Sequence, residues 1–356
     1  MQKIDFLQII IVFSNLVIIL CLLTFFNNNQ FGTILTMETT PKSVEIKSKV
    51  IQLCSAQDAA YEGRAIDEQT GETYHYGIIT DGHGSNDTAR KIRIIIDENI
   101  DVILNSANPH LEIQSRLDAI YKEQMEYAES LQESIFYKNT KSHMQNSAYS
   151  GGSTFLLSKL YDNRVEVFSI GDSEAYVMIN NDVVYHNPLH EWSNESEKAR
   201  LLARTDIKVR PIYQSTPHII SPTRAGFTKS VCLEYIDETR DISMKLAPTQ
   251  SLGHNAITQF APEKMTIPFE PNDSVKIVLA SDGLWDVFVP HHPDDIVCLR
   301  EMDGEQLADL AESRWKQEWE VAVDYENPDV LYEETSRYPE NSYDDVAVIT
   351  MVRNQL

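Results

Sequence analysis

Four aspartates sit at the ends of short β-type runs, each beside glycine, serine or a second aspartate. They occur in Asp81-Gly82-His83-Gly84 after YHYGIIT, Gly171-Asp172-Ser173 after RVEVFSI, Ser281-Asp282-Gly283-Leu284-Trp285-Asp286 after SVKIVLA, and Asp344-Asp345 just before VAVITMV. Carboxylates held at strand ends by tight turns are what a hard divalent cation needs, because Mg²⁺ and Mn²⁺ take oxygen ligands and retain several waters. The pattern predicts a metal centre assembled from distant segments. Any one of these sites alone reads as an ordinary turn, since Asp before Gly starts many loops that carry no chemistry. Their joint occurrence points to function.

Strands that end together are needed to position such residues. TFLLSKL-YDN-RVEVFSI and EAYVMI-NND-VVYH are β runs joined by Asn/Asp turns, which predicts hairpins and mostly antiparallel strands. Helical periodicity follows from Thr88 to Asn105, from about Leu111 to Gln132, and from Glu305 to Glu320, the last with Leu307, Leu310, Ala311, Trp315 and Trp319 on one stripe. These groups predict an α+β layered domain. Aromatics spaced i, i+4 on an apolar face belong to a core more often than to a ligand platform, and Trp285 reads the same way. Gly151-Gly152-Ser153-Thr154 lacks the lysine of a phosphate loop and reads as close backbone packing. Asp286 reads as a turn or cap residue, and His291-His292 before Pro293 as a loop at a helix start.

The chain has 356 residues, 42% of them hydrophobic, enough for a sizeable core. Lys+Arg 30 against Asp+Glu 54 gives a net charge of -24, which repels a phosphate backbone and argues against nucleic-acid binding. Cys21, Cys54, Cys232 and Cys298 show no CxxC pairing and no disulfide framework, as suits a reducing compartment. Residues 6–26, FLQIIIVFSNLVIILCLLTFF, carry no charge and as a helix would span roughly 30 Å of hydrocarbon. A cleaved signal peptide would have a shorter apolar region, a more basic start and an A-x-A-like site where NNNQFGT stands. The expectation is therefore a single-pass membrane anchor over 1–26, a polar linker over 27–43 and a globular part over 44–356, placed in the cytosol by its free cysteines. Initiation at Met37 would give a form without the anchor.

CSAQDAAYEG with Asp58, TDGHGSNDTA, GGSTFLL, IGDSEAYV, QSLGH, LASDGLWDVF and NSYDDVAVITM occur in the order and spacing of the metal-dependent type 2C protein phosphatases, which the chain resembles from about Ile51 to Val352. The resemblance implies a four-layer α/β/β/α sandwich of two antiparallel sheets flanked by helices, with the membrane helix before it. It also implies two Mn²⁺ or Mg²⁺ ions at one end, a variable flap within about 185–246, phosphoserine or phosphothreonine proteins as substrates, and a monomer. Asp81 resembles the carboxylate that bridges both ions, with the Gly82 carbonyl as a further ligand. Asp282 and Asp344 would complete one ion, Asp58 would serve the other, and Asp172 resembles the aspartate that recruits a third. Two cations sharing a carboxylate can hold a water between them and aim it at phosphorus. His83 is then placed to protonate the leaving alkoxide, for which a reference imidazole pKa of about 6.5 is well matched.

Three departures from the pattern concern the substrate rather than the metals. The arginine that clamps the phosphate just before the Asp58 position is missing, since KSKVIQLCSAQD offers only Lys47 and Lys49. Arg64, in the following segment, is the candidate substitute. Glu174 stands where the family carries arginine, and Gln250 and His254 replace an arginine and an acid. Asp345 replaces an asparagine and is expected to bond around the metal ligands or to face solvent. These changes leave a second reading, a catalytically weak or inactive relative that uses the sandwich to bind a partner.

Overall fold

In the computed structural model, which describes residues 43–130, 148–239, 242–324, 327–332 and 335–354, strand Val346–Arg353 shows how the layers are built. Its successive side chains point to opposite faces, as in any strand. Ala347, Ile349 and Met351 enter one buried cluster, and Val346 and Val348 enter another. Both faces of its sheet are therefore covered. That five-stranded sheet runs Val44–Ile51, Val346–Arg353, Val275–Ala280, Glu174–Ile179, Asp182–His186, every neighbour antiparallel. A second five-stranded antiparallel sheet runs Glu263–Pro268, Arg164–Ile170, Phe155–Leu160, Thr73–Thr80, Ala59–Ile66.

The alternation sorts every central strand in the same way. Ile79, Leu156 and Val167 of the second sheet meet Val177, Ile277 and Leu279 of the first in the cluster between the sheets. On its other face the second sheet presents Ile78, Phe155 and Leu157 to Ile92, Ile96 and Ile103 of helix Asn86–Asn105 and to Ile113 and Leu117 of helix Pro109–Ser130. The first sheet presents Tyr176, Met178 and Val278 to Leu299 of helix Pro293–Glu301 and to Leu307, Ala311 and Trp315 of helix Gly304–Lys316. The α+β expectation of antiparallel sheets flanked by helices is met, and the NND hairpin closes through Asn180 and Asn181, both at positive φ.

Helix boundaries follow their caps. Ser85 accepts from the Asp87 amide at the start of Asn86–Asn105, and Asp303 with Gln306 forms a capping box before Gly304–Lys316. His292 caps Pro293–Glu301, the role expected of a loop at a helix start. The stripe expected to run to Glu320 stops earlier, because Gln317 is extended and Trp319 exchanges backbone hydrogen bonds with Ser336. Trp319 packs with Ile219 and Ala225 instead of continuing the helix. The region expected to hold a flap contains helix Glu195–Leu202 and a long hairpin, Lys208–Ser221 with Arg224–Asp237, extended by Ile242–Leu246. Arg224 and Ala225 of this hairpin also pair in parallel with Glu320 and Val321, a contact the sequence patterns did not announce.

The apolar run 6–26 and linker residues 27–42 lie outside the described residues. Among the described residues no helix is long and apolar enough to cross a membrane.

Candidate active site and metal centre

Strand register brings the aspartate-bearing turns to one end. In the second sheet Ala59 lies opposite Thr80, Ile79 opposite Leu156, and Phe155 opposite Ile170, so Asp58, Asp81 and Asp172 leave the same edge. In the first sheet Ala280 lies opposite both Glu174 and Val348, and Val346 opposite Ile51, which sets Asp282 and Asp344 at the corresponding edge. Side-chain and backbone bonds tie the turns together. The Asp81 amide donates to Thr154 Oγ1 at 3.0 Å and its carbonyl accepts from Thr154 N at 2.8 Å, while Thr154 Oγ1 lies 2.7 Å from Ser173 Oγ. Ser281 Oγ accepts from Ala347 N at 2.9 Å.

Asp81, Gly82, His83, Asp172, Asp282 and Asp344 line a single cleft of about 680 Å³. Asp58 does not line it; it is buried and interacts electrostatically with Asp282 and Asp344 of the same group. Burial raises the Asp81 carboxyl well above the usual range, and the charges of Asp282 and Asp58 add to this. Asp58 is pushed up by burial, then by Asp282, Asp344 and Asp345, with partial relief from the Ser281 hydroxyl. Burial and Asp282 lift Asp344 to about 7, and burial, Asp282 and Glu191 raise Asp172. Asp282 is raised by burial, an effect its hydrogen bond with Asp81 moderates. The mutual upward push is the signature of like charges forced together.

Asp286, read from sequence as a cap, is the C-cap of the short helix Asp282–Trp285 and also feels this field. Its carboxyl is raised first by the chain packed around it and then by Asp282, Asp344 and Asp172, while the residue as a whole keeps contact with water, which screens the effect.

No three His, Cys, Asp or Glu side chains among the described residues stand in closed ligand geometry. Two buried carboxylate oxygens, Asp58 Oδ2 and Asp282 Oδ1, have no hydrogen-bond partner. Such an orphan is costly unless something positive satisfies it. An all-oxygen set of mutually repelled carboxylates with unsatisfied atoms fits Mg²⁺ or Mn²⁺ and offers nothing to a soft metal.

Asp345 has a role that the sequence left open between bonding and solvent. It is buried and accepts four hydrogen bonds: Leu53 N at 2.8 Å, Cys54 N at 2.9 Å, Ser55 Oγ at 2.8 Å and Gln57 N at 2.9 Å. Burial works to raise its pKa, but these donors together hold it below the usual range. One carboxylate thus clamps the loop that delivers Asp58. The segment of Gly283 approaches so closely that a Cβ on that glycine would lie 1.9 Å from the Asp345 carbonyl oxygen. Asp345→Ala strands those donors and is expected to cost roughly 3 kcal/mol, read as a lower urea midpoint at unchanged m value. An unchanged midpoint would show that the loop holds itself.

His83 is fixed from two sides. Its Nε2 lies 2.9 Å from Ser251 Oγ, and its ring stacks on His254 with centroids 5.1 Å apart and planes 17° apart. His254 Nδ1 lies 2.7 Å from the Tyr149 carbonyl oxygen, and His254, Asn255 and Ala256 all hold positive φ to present the ring. Gly152 permits the approach, since a Cβ there would meet Leu252 O at 2.4 Å and His254 Cδ2 at 2.5 Å. Close packing, the role read for the Gly-Gly pair, is what the three-stranded sheet around it displays. Burial and His254 push the His83 pKa well below its ordinary value, so the expectation of a reference imidazole does not hold for the metal-free protein. Ser251 and His254 were not identified from sequence as partners of His83. Their segment is distant and only the fold makes them neighbours.

The substrate-side candidates move further. Arg64 is exposed on the edge strand Ala59–Ile66, opposite His75, and does not line the cleft. Alternation along that strand, not proximity to Asp58, decides where it points. Lys49 is paired with Asp309. Gln250 is buried and bonds the backbone of Ala261 at 2.7 and 3.0 Å, which makes it a brace for its own loop. Glu174 is engaged by His186 at 2.5 Å.

The Protein phosphatase 2C family model matches residues 55–320, a span that includes Asp58, Asp81, Asp172 and Asp282 and stops before Asp344. Among solved structures, a C. elegans sex determining protein is 15% identical over 88% of this chain at a TM-score of 0.49, and this chain spans 65% of that one. The Mycobacterium tuberculosis serine/threonine phosphatase PstP/Ppp is 14% identical over 88% of this chain and 99% of its own, with a TM-score of 0.43. Stp1, a serine/threonine phosphatase from Staphylococcus aureus, is 15% identical over 88% of this chain and 95% of its own, with a TM-score of 0.41. Curated proteins give no match. With the family's match extending over most of the sequence and enclosing Asp81, Asp172 and Asp282 of the cleft, the chain belongs to the protein phosphatase 2C family.

Proposed function

We propose that this protein is a serine/threonine protein phosphatase that hydrolyses phosphomonoesters with Mn²⁺ or Mg²⁺ held by Asp58, Asp81, the Gly82 carbonyl, Asp282 and Asp344, and with Asp172 serving a third ion. The observation that supports this most is the mutual upward push on carboxyls from remote segments, with Asp58 Oδ2 and Asp282 Oδ1 left unpartnered. A structural role has no use for such repulsion. When bound, the cations would supply positive charge against the phosphoryl oxygens and a water of lowered pKa.

The chain's own groups do the rest. In the balanced reaction one water oxygen joins phosphorus, the P–O bond to serine or threonine breaks, and a proton reaches the departing oxygen. His83 is the group set to hold that proton, its ring fixed by Ser251 and His254. A bound phosphoryl dianion opposes the downward push on its pKa and so favours the protonated imidazole when substrate is present. The carboxylate wall without such cations would repel the same dianion, which ties turnover to metal.

The test is hydrolysis of a phosphothreonine peptide by residues 43–356 with millimolar Mn²⁺ and with chelator. Release of inorganic phosphate is expected only with metal. Equal rates in both, or none in either from a folded sample, would contradict the proposal.

A further inference from the structure

Beside the charge that metal ions would supply, the resemblance implies a side-chain cation for the substrate's phosphoryl group, and the arginine expected before Asp58 is absent. Among the described residues lining the cleft there is a single lysine or arginine, Lys245. It lies on strand Ile242–Leu246, whose opposite face is anchored: Leu246 is buried beside Trp192 and Leu233, with Met244 packed against them. Register pairs Leu246 with Leu233 and Lys245 with Glu234, so the position of Lys245 at the cleft is set by the core beneath it.

Neighbouring cations of the same sheet are committed elsewhere. Arg210 bonds Glu234, Lys208 bonds Glu238, and Lys229 lies 4.8 Å over the Tyr213 ring. Glu234, the charge facing Lys245, is taken by Arg210 and by Ser243 Oγ at 3.1 Å. Lys245 itself is exposed among the residues lining the cleft, and its charge acts on Glu234 and on Cys232, which lines the same cleft.

We propose that Lys245 is the residue that receives the phosphoryl group of the phosphoprotein substrate, supplying from the flap the positive charge that Arg64 does not bring. The inference rests on the phosphatase reading and adds to it the source of phosphate affinity. An ammonium acts there as a point charge and not as a bidentate fork. It therefore contributes mainly to ground-state affinity, with less effect on the reaction's rate once substrate is bound.

The experiment compares wild type, Lys245→Ala and Lys245→Arg on p-nitrophenyl phosphate and on a phosphothreonine peptide with Mn²⁺, with inhibition by inorganic phosphate measured alongside. For Lys245→Ala the KM on both substrates is expected to rise about tenfold, with kcat within about threefold, and inhibition by phosphate to weaken by a similar factor. Lys245→Arg should restore both, and the rise of KM with ionic strength should be shallower in Lys245→Ala than in wild type. An inactive wild type would remove the phosphatase reading. An active wild type with unchanged KM and phosphate inhibition in Lys245→Ala would remove this inference alone, and a change confined to the peptide would overturn it in favour of a contact with flanking residues.

Discussion

Asp81→Asn yields a folded protein that hydrolyses phosphopeptides at least about 10³-fold more slowly than wild type, a loss corresponding to several kcal/mol of transition-state stabilisation. Asp81 is pushed by the charges of both Asp282 and Asp58 and is buried where it lines the cleft. An amide there keeps the shape and removes the charge that would share a cation. The local backbone survives, because the bonds to Thr154 use the Asp81 amide and carbonyl, not its side chain. The same substitution puts a neutral amide where burial and neighbouring carboxylates already disfavour a charge, so the metal-free variant at pH 7.5 is expected to melt no lower than wild type. Activity within tenfold of wild type would contradict the assignment. A sharply lowered Tm would show that the carboxylate is structural.

The second large effect is on stability. Metal-free protein should lose stability as pH rises from about 4 to about 7, and Mn²⁺ should abolish that loss. Asp344, lifted to about 7, and Asp58, Asp81, Asp172 and Asp282, all raised, hold their protons more tightly folded than unfolded. The folded state then binds more protons than the unfolded one across that window, so stability is full below the unfolded carboxyl pKa and falls as pH climbs through the folded values. Asp345 has the opposite sign: its pKa is lowered, so its four hydrogen bonds stabilise above the unfolded pKa and weaken as pH drops through the folded value. Between pH 5 and 7.5 a fall in Tm on the order of 10 °C is expected without metal. A ligand at 100 times its Kd contributes about 2.7 kcal/mol, enough to flatten most of that fall. A flat Tm profile without metal, or one that Mn²⁺ leaves unchanged, would contradict the electrostatic account.

The core and the aspartate turns were legible because both rest on local periodicity. Alternation in VAVITMV and SVKIVLA declares which side chains face which layer, and Asn-Asn at 180–181 declares its own turn. Asp345 was ambiguous because its meaning lies in four donors of residues 53–57, nearly the whole chain away. Arg64 was attractive because it is near Asp58 in sequence, but strand geometry carries it along an exposed edge. Lys245 gave no local signal: in KLAPTQSLGH it is one lysine outside any motif, and only pairing with Glu234 and burial of Leu246 bring it to the cleft. Trp319 shows the same limit, since its spacing suited a helix and its pairing with Ser336 overrode it. Position along a periodic element is encoded locally, whereas the partner across the fold is not.

The most direct test is a calorimetric titration of the metal-free protein with Mn²⁺ near pH 6.5, repeated in buffers of different ionisation enthalpy. The account predicts about two ions bound per chain with release of protons, because carboxyls that hold protons in the crowded cleft must give them up to the cation. Asp81→Asn should lose most of the binding heat. Absence of Mn²⁺ binding by the folded wild type, or binding that neither releases protons nor depends on Asp81, would contradict the claim that these carboxylates form one cation site.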